Sequence, residues 1–500
     1  MNHTNRLFKR RGLTLVELMV ASTLGLVLVI GVLEAFRQIT NSVTKGRATV
    51  QISGQLRNIT NLMRSDFQGI TVQAIPNTSA GSGMGYFEII EGVDNDFVIT
   101  PPNTLPAAVD NLSGDTDDVV MFTSRRLNNP FSGRIEGRLL DSTRPFEIIE
   151  SPNAEVIYWL EPRNTEYLRD GLDNNSDGTV DELAEGQLGI LNYNGMPLAT
   201  LRRRALLIRP DLNGPQGVLM QPNGTPYPAS SATFFLNLND ISIRVNPNNT
   251  ISANSLADLT LRQNRVAHIP AGTINNNVDT KFPYPFTHTL VPFQSGVAMG
   301  EDVIMDQVIG FDLRVFDPQA KAVTSPTGDT ALTPGDPGYE SGFRNRARIV
   351  GMGAYVDLGY AFPYTLTDNS AESIAQYQAL STFSWLPDPR SQLRATTLPG
   401  MLATTSQRYF QFGNYRTYDT WTIEYERDGL NQNYEVNNLI DEGLNGIDDN
   451  NTGGVDDTQE LETAPPYPYP LRGFQVIVRA FKNGQQQMRQ FTVSHDFTPE

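Results

Sequence analysis

Two stretches of the chain share an ungapped pattern of oxygen-bearing side chains, DGLDNNSDGTVDE at 170–182 and NGIDDNNTGGVDD at 445–457. In the first, Asp173, Asn175 and Asp177 occupy alternate positions, Gly178 permits a sharp turn, and Asp181 follows. Hard oxygen ligands at positions one, three, five and nine around a glycine at six are how a loop wraps a calcium ion. Position twelve is Ala184 and not a bidentate glutamate, so Glu182, Glu185 or a distant residue must complete any shell. The second copy keeps Asp448, Asn450 and Asp456 but has Thr452 at the central position and Gly454 beside Gly453. Six acids and no base lie within 170–190, a density that favours a counter-ion. Two solvated acidic turns are the plain alternative, since Asp, Asn and Gly dominate turns.

A different carboxylate poses a harder problem. Glu17 is the single charge in the apolar run 13–33. A charge at the centre of a membrane helix costs about 2.5–3.5 kcal/mol on insertion scales, less near an end. As a helix, the 21 residues of this run would span about 31 Å, one hydrocarbon core. Arg6, Lys9, Arg10 and Arg11 precede it and a long acidic remainder follows. The positive-inside rule then leaves the N-terminus in the cytoplasm and exports the rest. A cleavable secretory signal or a plain anchor gives Glu17 no role.

A third reading does. Arg10-Arg11-Gly12-Leu13-Thr14-Leu15-Val16-Glu17-Leu18-Met19-Val20 resembles the class III signal of type IV pilins and type II secretion pseudopilins. The resemblance implies that a prepilin peptidase cuts between Gly12 and Leu13, retains the apolar segment and methylates the new Leu13 amine. Phe is usual at that first mature position, and Leu13 departs from it. Glu17 becomes the fifth mature residue, which in the family pairs with the amine of a neighbouring subunit. A lone buried charge needs a partner; pairing across subunits lowers the penalty for both and fixes the stagger between helices. The partners so implied are the prepilin peptidase/N-methyltransferase, other pilin or pseudopilin subunits, and the inner membrane. The implied location is a single pass through that membrane, with a cytoplasmic N-terminus and a periplasmic head, and then a filament. Some pseudopilins hold calcium in their heads, which bears on the two acidic loops.

The elements that must position these residues follow from periodicity. Residues 1–12 read as a leader, 13–33 as the membrane segment and 34–69 as an amphipathic continuation. In that continuation Ala48, Ile52, Leu56, Ile59, Met63 and Phe67 recur at helical steps, with Arg47, Arg57 and Arg64 between them. Gly25, Gly31, Gly46 and Gly54 mark points where the helix could bend. From 70 to 500 the pattern is β-rich. Strands are expected at Phe87–Gly92, Asp118–Ser124, Ala154–Glu161, Leu201–Arg209, Val308–Phe316, Ala354–Tyr360 and Thr420–Glu426. A C-terminal hairpin is expected over 473–497, with Asn483-Gly484 in its turn. Residues 210–300 and 317–345 read as loop-rich insertions, apart from a helix-like patch at Ser255–Ala267, and TAPPYPYP at 463–470 as an extended connector. The fold class is α+β: a long N-terminal helix packed on an antiparallel β-sheet head with long insertions. This order resembles the larger minor pilins and pseudopilins.

Composition narrows the function. The 500 residues carry a formal charge of −17, and of −21 without the four basic residues of the leader, so nucleic acid is not an expected partner. There is no cysteine, which excludes disulfides and thiolate chemistry. GSGMG at 81–85 precedes a strand instead of following one, so it is a flexible loop and not a dinucleotide cradle. His268, His288 and His495 are widely separated, no GxSxG occurs, and Asp306, Asp312 and Asp317 read as solvated flanks of a strand. The chain therefore reads as a structural subunit and not an enzyme. The alternative keeps the anchor and makes the body a calcium-binding adhesin or ectodomain that does not polymerise.

Overall fold

The computed structural model describes residues 14–75, 82–90, 118–140, 142–162, 192–193, 196–197, 199–261, 264–266, 303–324, 330–334, 349–358, 417–420, 447–448, 455, 470–482 and 487–497. The chain divides into two compact units, Met1–Asn58 and Ile59–Glu500. Helix α1, Leu15–Gln68, contributes to both and runs for 54 residues. It continues through Gly25, Gly31, Gly46 and Gly54 without interruption, so none of these glycines is used as a break. Leu56, Ile59, Met63 and Phe67 of the expected stripe are buried, with Arg57 and Arg64 exposed. The side chains of Arg47, Ala48 and Ile52 lie outside the described residues. Val43 and Val50 are exposed, and the described burial begins at Leu56.

The strands are β1 (Phe87–Ile90), β2 (Val119–Arg125), β3 (Phe131–Glu136), β4 (Phe146–Ser151), β5 (Asn153–Pro162), β6 (Asn192–Tyr193), β7 (Met196–Pro197) and β8 (Ala199–Leu207). There follow β9 (Ile243–Val245), β10 (Ile251–Ala253), β11 (Val303–Thr324), β12 (Ala331–Leu332), β13 (Ile349–Asp357), β14 (Thr417–Asp419), β15 (Gly473–Lys482) and β16 (Gln487–Asp496). Among the described residues ten of these form one antiparallel sheet in the order β14-β1-β2-β5-β8-β11-β15-β16, with β12 and β13 also paired to β11. Each expected strand but Thr420–Glu426 is present with shifted ends; β14 ends at Asp419, Thr420 is not in a strand, and 421–426 lie outside the described residues. The C-terminal hairpin pairs Gly473 with Asp496 through to Lys482 with Gln487. Its Asn-Gly turn and the connector 463–469 lie outside the described residues.

The central strands are buried on both faces. Because side chains alternate along a strand, Val156 and Tyr158 of β5 turn to one face and Glu155 and Ile157 to the other, all fully buried. The last turns of α1 cover the first face. Phe67 packs there against Phe122, Tyr158 and Phe474 at ring-centroid distances of 5.5, 6.1 and 4.9 Å. His495 joins this aromatic cluster, 5.7 Å from Phe474, and burial lowers its pKa.

The second face is covered by residues 208–261 and 264–266, and here the structure corrects the loop-rich reading of 210–300, of which 267–300 lies outside the described residues. The region is a packed layer and not a loop excursion. It contains the short helix α2 (Ala232–Leu238) and the β9–β10 ladder, and it buries Leu219, Phe235, Leu236, Ile241, Ile251 and Leu259. Within the helix-like patch at Ser255–Ala267 the structure forms a 3₁₀ turn at Asp258–Thr260, and Leu261 is already extended. The carbonyls of Leu259 and Thr260, which a continuing helix would use internally, instead accept bonds from the Arg265 guanidinium. An additional hairpin, β3–β4, was not anticipated.

A second correction concerns β11, which extends for 22 residues, well past Asp317, where an insertion was expected. Pro318 obscured this, since proline is confined to edges and bulges in sheets. It falls in such an irregularity, where the β11–β13 register shifts between Asp317 and Lys321. Asp312 and Asp317 therefore lie within the strand and are buried, whereas Asp306 is exposed as expected. Asp312 accepts two bonds from Arg314 at 2.9 and 3.1 Å.

The loop at 82–85 also has a local cause. Gly85 has φ +77°, and a Cβ there would come within 2.0 Å of the Thr123 hydroxyl. Only glycine satisfies both the left-handed backbone and that close approach.

Candidate functional site

The start of α1 is built by two side chains. Thr14 precedes the first helical residue, and its backbone N–H and its hydroxyl both donate to Glu17 Oε2, at 2.9 and 3.0 Å. Glu17 N–H donates back to the Thr14 hydroxyl at 3.2 Å. This reciprocal arrangement is a capping box, which satisfies amides that a helix N-terminus otherwise leaves without partners. Its sequence signal is a Thr followed three residues later by Glu before an apolar run, a local feature distinct from the charge of Glu17. Gly12 and Leu13 lie outside the described residues, so the structure does not place the expected cut.

From Leu15 to Thr40 the helix is long and apolar enough to cross a membrane, and no part of that window is buried within the chain. Leu15, Val27, Leu28 and Phe36 each expose more than three-fifths of their surface. Apolar surface on this scale calls for lipid or another helix.

At the other end of α1, Asp66 is fully buried on the sheet. Its Oδ2 accepts from Arg203 Nε at 2.7 Å and from the Tyr158 hydroxyl. Its Oδ1 accepts from Arg203 Nη2 at 3.1 Å and from Arg126. The Ser124 hydroxyl donates to the Asp66 backbone carbonyl at 2.8 Å. An acid in the last turn of a helix opposes the helix dipole, and here the two guanidinium groups offset that. Burial pulls the Arg203 pKa down, but the Asp66 charge outweighs it and the net direction is up. Burial, reinforced by Asp66, raises Tyr158 well above the ordinary tyrosine range.

The opposite face of the sheet carries a second polar network. Arg265, fully buried, donates through Nη1 to Glu88 at 2.9 Å and Asp419 at 2.7 Å, and lies 4.1 Å from the Tyr86 ring centroid. Burial would lower its pKa, but Asp419 and then Glu88 carry it upward. Glu155 accepts from the Tyr86 hydroxyl at 2.7 Å, Val266 N–H at 3.0 Å and the Ser242 hydroxyl at 2.6 Å. Burial nevertheless pushes the Glu155 carboxyl up. Arg204 closes the layer from β8, reaching Asp240 at 2.8 Å and the Leu236 carbonyl at 2.9 Å. Consecutive arginines on one strand are thus divided between its faces: Arg203 binds the helix and Arg204 the covering layer. These networks pair buried acids with donors from distant parts of the chain, an arrangement suited to holding elements together.

The first acidic loop, with Asp173, Asn175, Asp177 and Asp181, lies outside the described residues, as do Asn450 and Asp456 of the second. Asp448 is described and half-buried. Among the described residues no group of three or more His, Cys, Asp or Glu side chains is arranged to hold a metal.

Residues 7–33 match the family model of the prokaryotic N-terminal methylation motif. No curated protein and no solved structure matches the chain. The motif is a prepilin-type cleavage and methylation signal. With the membrane-length helix and the antiparallel head, it is consistent with the broad type IV pilin and pseudopilin architecture.

Proposed function

We propose that this protein is a large minor pilin or pseudopilin, a structural subunit of a type IV pilus-like or type II secretion filament. The observation that carries the reading is the methylation-motif match over 7–33 leading directly into a membrane-length helix. The motif implies a prepilin peptidase and N-methyltransferase that cut between Gly12 and Leu13 and modify the Leu13 amine. The helix anchors the precursor in the inner membrane and then leaves it for a bundle of like helices. There the Glu17 carboxylate of one subunit neutralises the Leu13 ammonium of another. The bulky sheet head faces outward, at a position where it need not repeat at every step of a tight helix. Mass spectrometry of the purified mature chain tests this: a methylated N-terminal Leu13 is expected, and an intact leader or a cut after the apolar run would overturn it. Crosslinking separates a polymerising subunit from a solitary anchored ectodomain, since only the former gives adducts with major pilin or pseudopilins. Glu17→Ala is expected to be cut normally but to enter filaments poorly; equal entry would sink the charge-pair mechanism.

A further inference from the structure

The capping box adds a residue to this assembly step, and the inference rests on the subunit reading above. All three bonds of the box run between Thr14 and Glu17, and the two that reach the carboxylate both end on Oε2. Oε1 takes no part in the box. The Thr14 N–H belongs to the Leu13–Thr14 peptide, so a cut between Gly12 and Leu13 leaves every atom of the box in place. We propose that Thr14 is a positioning residue: it holds one oxygen of the Glu17 carboxylate and presents the other to the ammonium of a neighbouring subunit.

The arrangement serves both states of the subunit. Before assembly, two donors from its own chain partly satisfy the carboxylate, which eases the presence of a charge at the edge of the apolar layer. During assembly the side chain already occupies one rotamer, so less conformational freedom is lost when the charge pair forms.

Two measurements on the full chain test the proposal. In lipid nanodiscs, amide hydrogen exchange at Thr14 is expected to quicken about fivefold in Glu17→Ala, the size of effect a lost cap produces. Unchanged exchange would show that the box does not form and would overturn the proposal whether or not the chain polymerises. The second is a double-mutant cycle on filament incorporation, using chains whose mature N-terminus has been verified. Thr14→Val, which keeps shape and removes the hydroxyl, is expected to lower incorporation about fivefold, and Thr14→Ser to restore it. In a Glu17→Gln background, where no charge is left to present, Thr14→Val should cause no further loss. An equal loss in both backgrounds, or none in either, would overturn the positioning role. An unprocessed wild-type chain, by contrast, would overturn the subunit reading itself while the exchange result still stands.

Discussion

Helix α1 carries an acid near each end, and the two are treated in opposite ways. Glu17 is exposed, and its carboxylate is held by one residue of its own turn. Asp66 is fully buried, with Arg126, Arg203 and Tyr158 converging on it from the sheet side. One carboxylate is saturated within the chain; the other keeps capacity to spare. The same division holds for apolar surface, which is exposed from Leu15 to Phe36 and buried at Ile59, Met63 and Phe67. A single helix thus joins a segment completed by outside partners to one completed by its own fold.

The sharpest way to break this comparison is to empty the saturated end. Asp66→Ala leaves the Arg203 and Tyr158 donors buried without their acceptor. Removing one member of a buried charge pair costs about 3–5 kcal/mol. The detergent-solubilised variant is expected to lose that much unfolding free energy in denaturant titration, while cleavage of its leader is unaffected. A loss below about 1 kcal/mol, the range of exposed pairs, would mean the buried lock is not formed. Arg265→Met tests the opposite face of the sheet. It strands Glu88 and Asp419 while filling part of the space with apolar atoms, and the expected loss is of the same order, about 3–5 kcal/mol. Protease cleavage within 208–266 should quicken in this variant and not in Asp66→Ala.

How much of this was legible in the sequence differed between the two ends. Residues 10–36 are local: charge, length and motif can be read in order, and the helix followed from them. The strands were also legible, because alternation is local too, as in AEVIYWLE for β5. The covering layer was not. Its Asn, Pro and Gly mark turns correctly, but the burial of Leu219, Phe235 and Ile251 depends on β-pairing and packing between segments far apart in the chain. Arg203 and Arg204 looked like one basic run; only the parity of β8 sends them to different acids, Asp66 and Asp240. Arg265 meets Glu88 and Asp419 across separations of 177 and 154 residues, which no spacing rule anticipates.

Acids that await an outside partner need not be confined to Glu17. The loop containing Asp173, Asn175, Asp177 and Asp181 is proposed to take calcium, and so, with fewer ligands, is the loop containing Asp448, Asn450 and Asp456. If they do, calcium at ten times its dissociation constant stabilises the head by about 1.4 kcal/mol per site. A chelator should lower the melting temperature, calcium should restore it, and magnesium should not. Asp177→Asn should reduce the response to calcium. No response in the wild-type chain would leave these loops as solvated turns.

The smallest expected effect lies inside the buried network on the second face, at Glu155. Its carboxyl is raised above the ordinary 4.5, chiefly by burial, against the opposing bonds from Ser242, Val266 and Tyr86. A carboxyl raised in the folded state binds its proton more tightly there than in the unfolded chain. Its contribution to stability is therefore complete below pH 4.5 and declines as pH rises through the folded-state value. Glu155→Gln cannot titrate, and its side-chain oxygen can still accept from Val266 N–H while the Ser242 hydroxyl turns to accept from the new amide. The variant should therefore gain stability relative to the wild type as the solution is taken from pH 4.5 towards neutrality. Denaturant titrations of both chains across that range provide the check. A difference between the chains that stays constant with pH would show that the bonds to Ser242, Val266 and Tyr86 fully offset the burial of the charge. Glu155 would then belong with Asp66, as an acid whose fold supplies everything its ionised form requires.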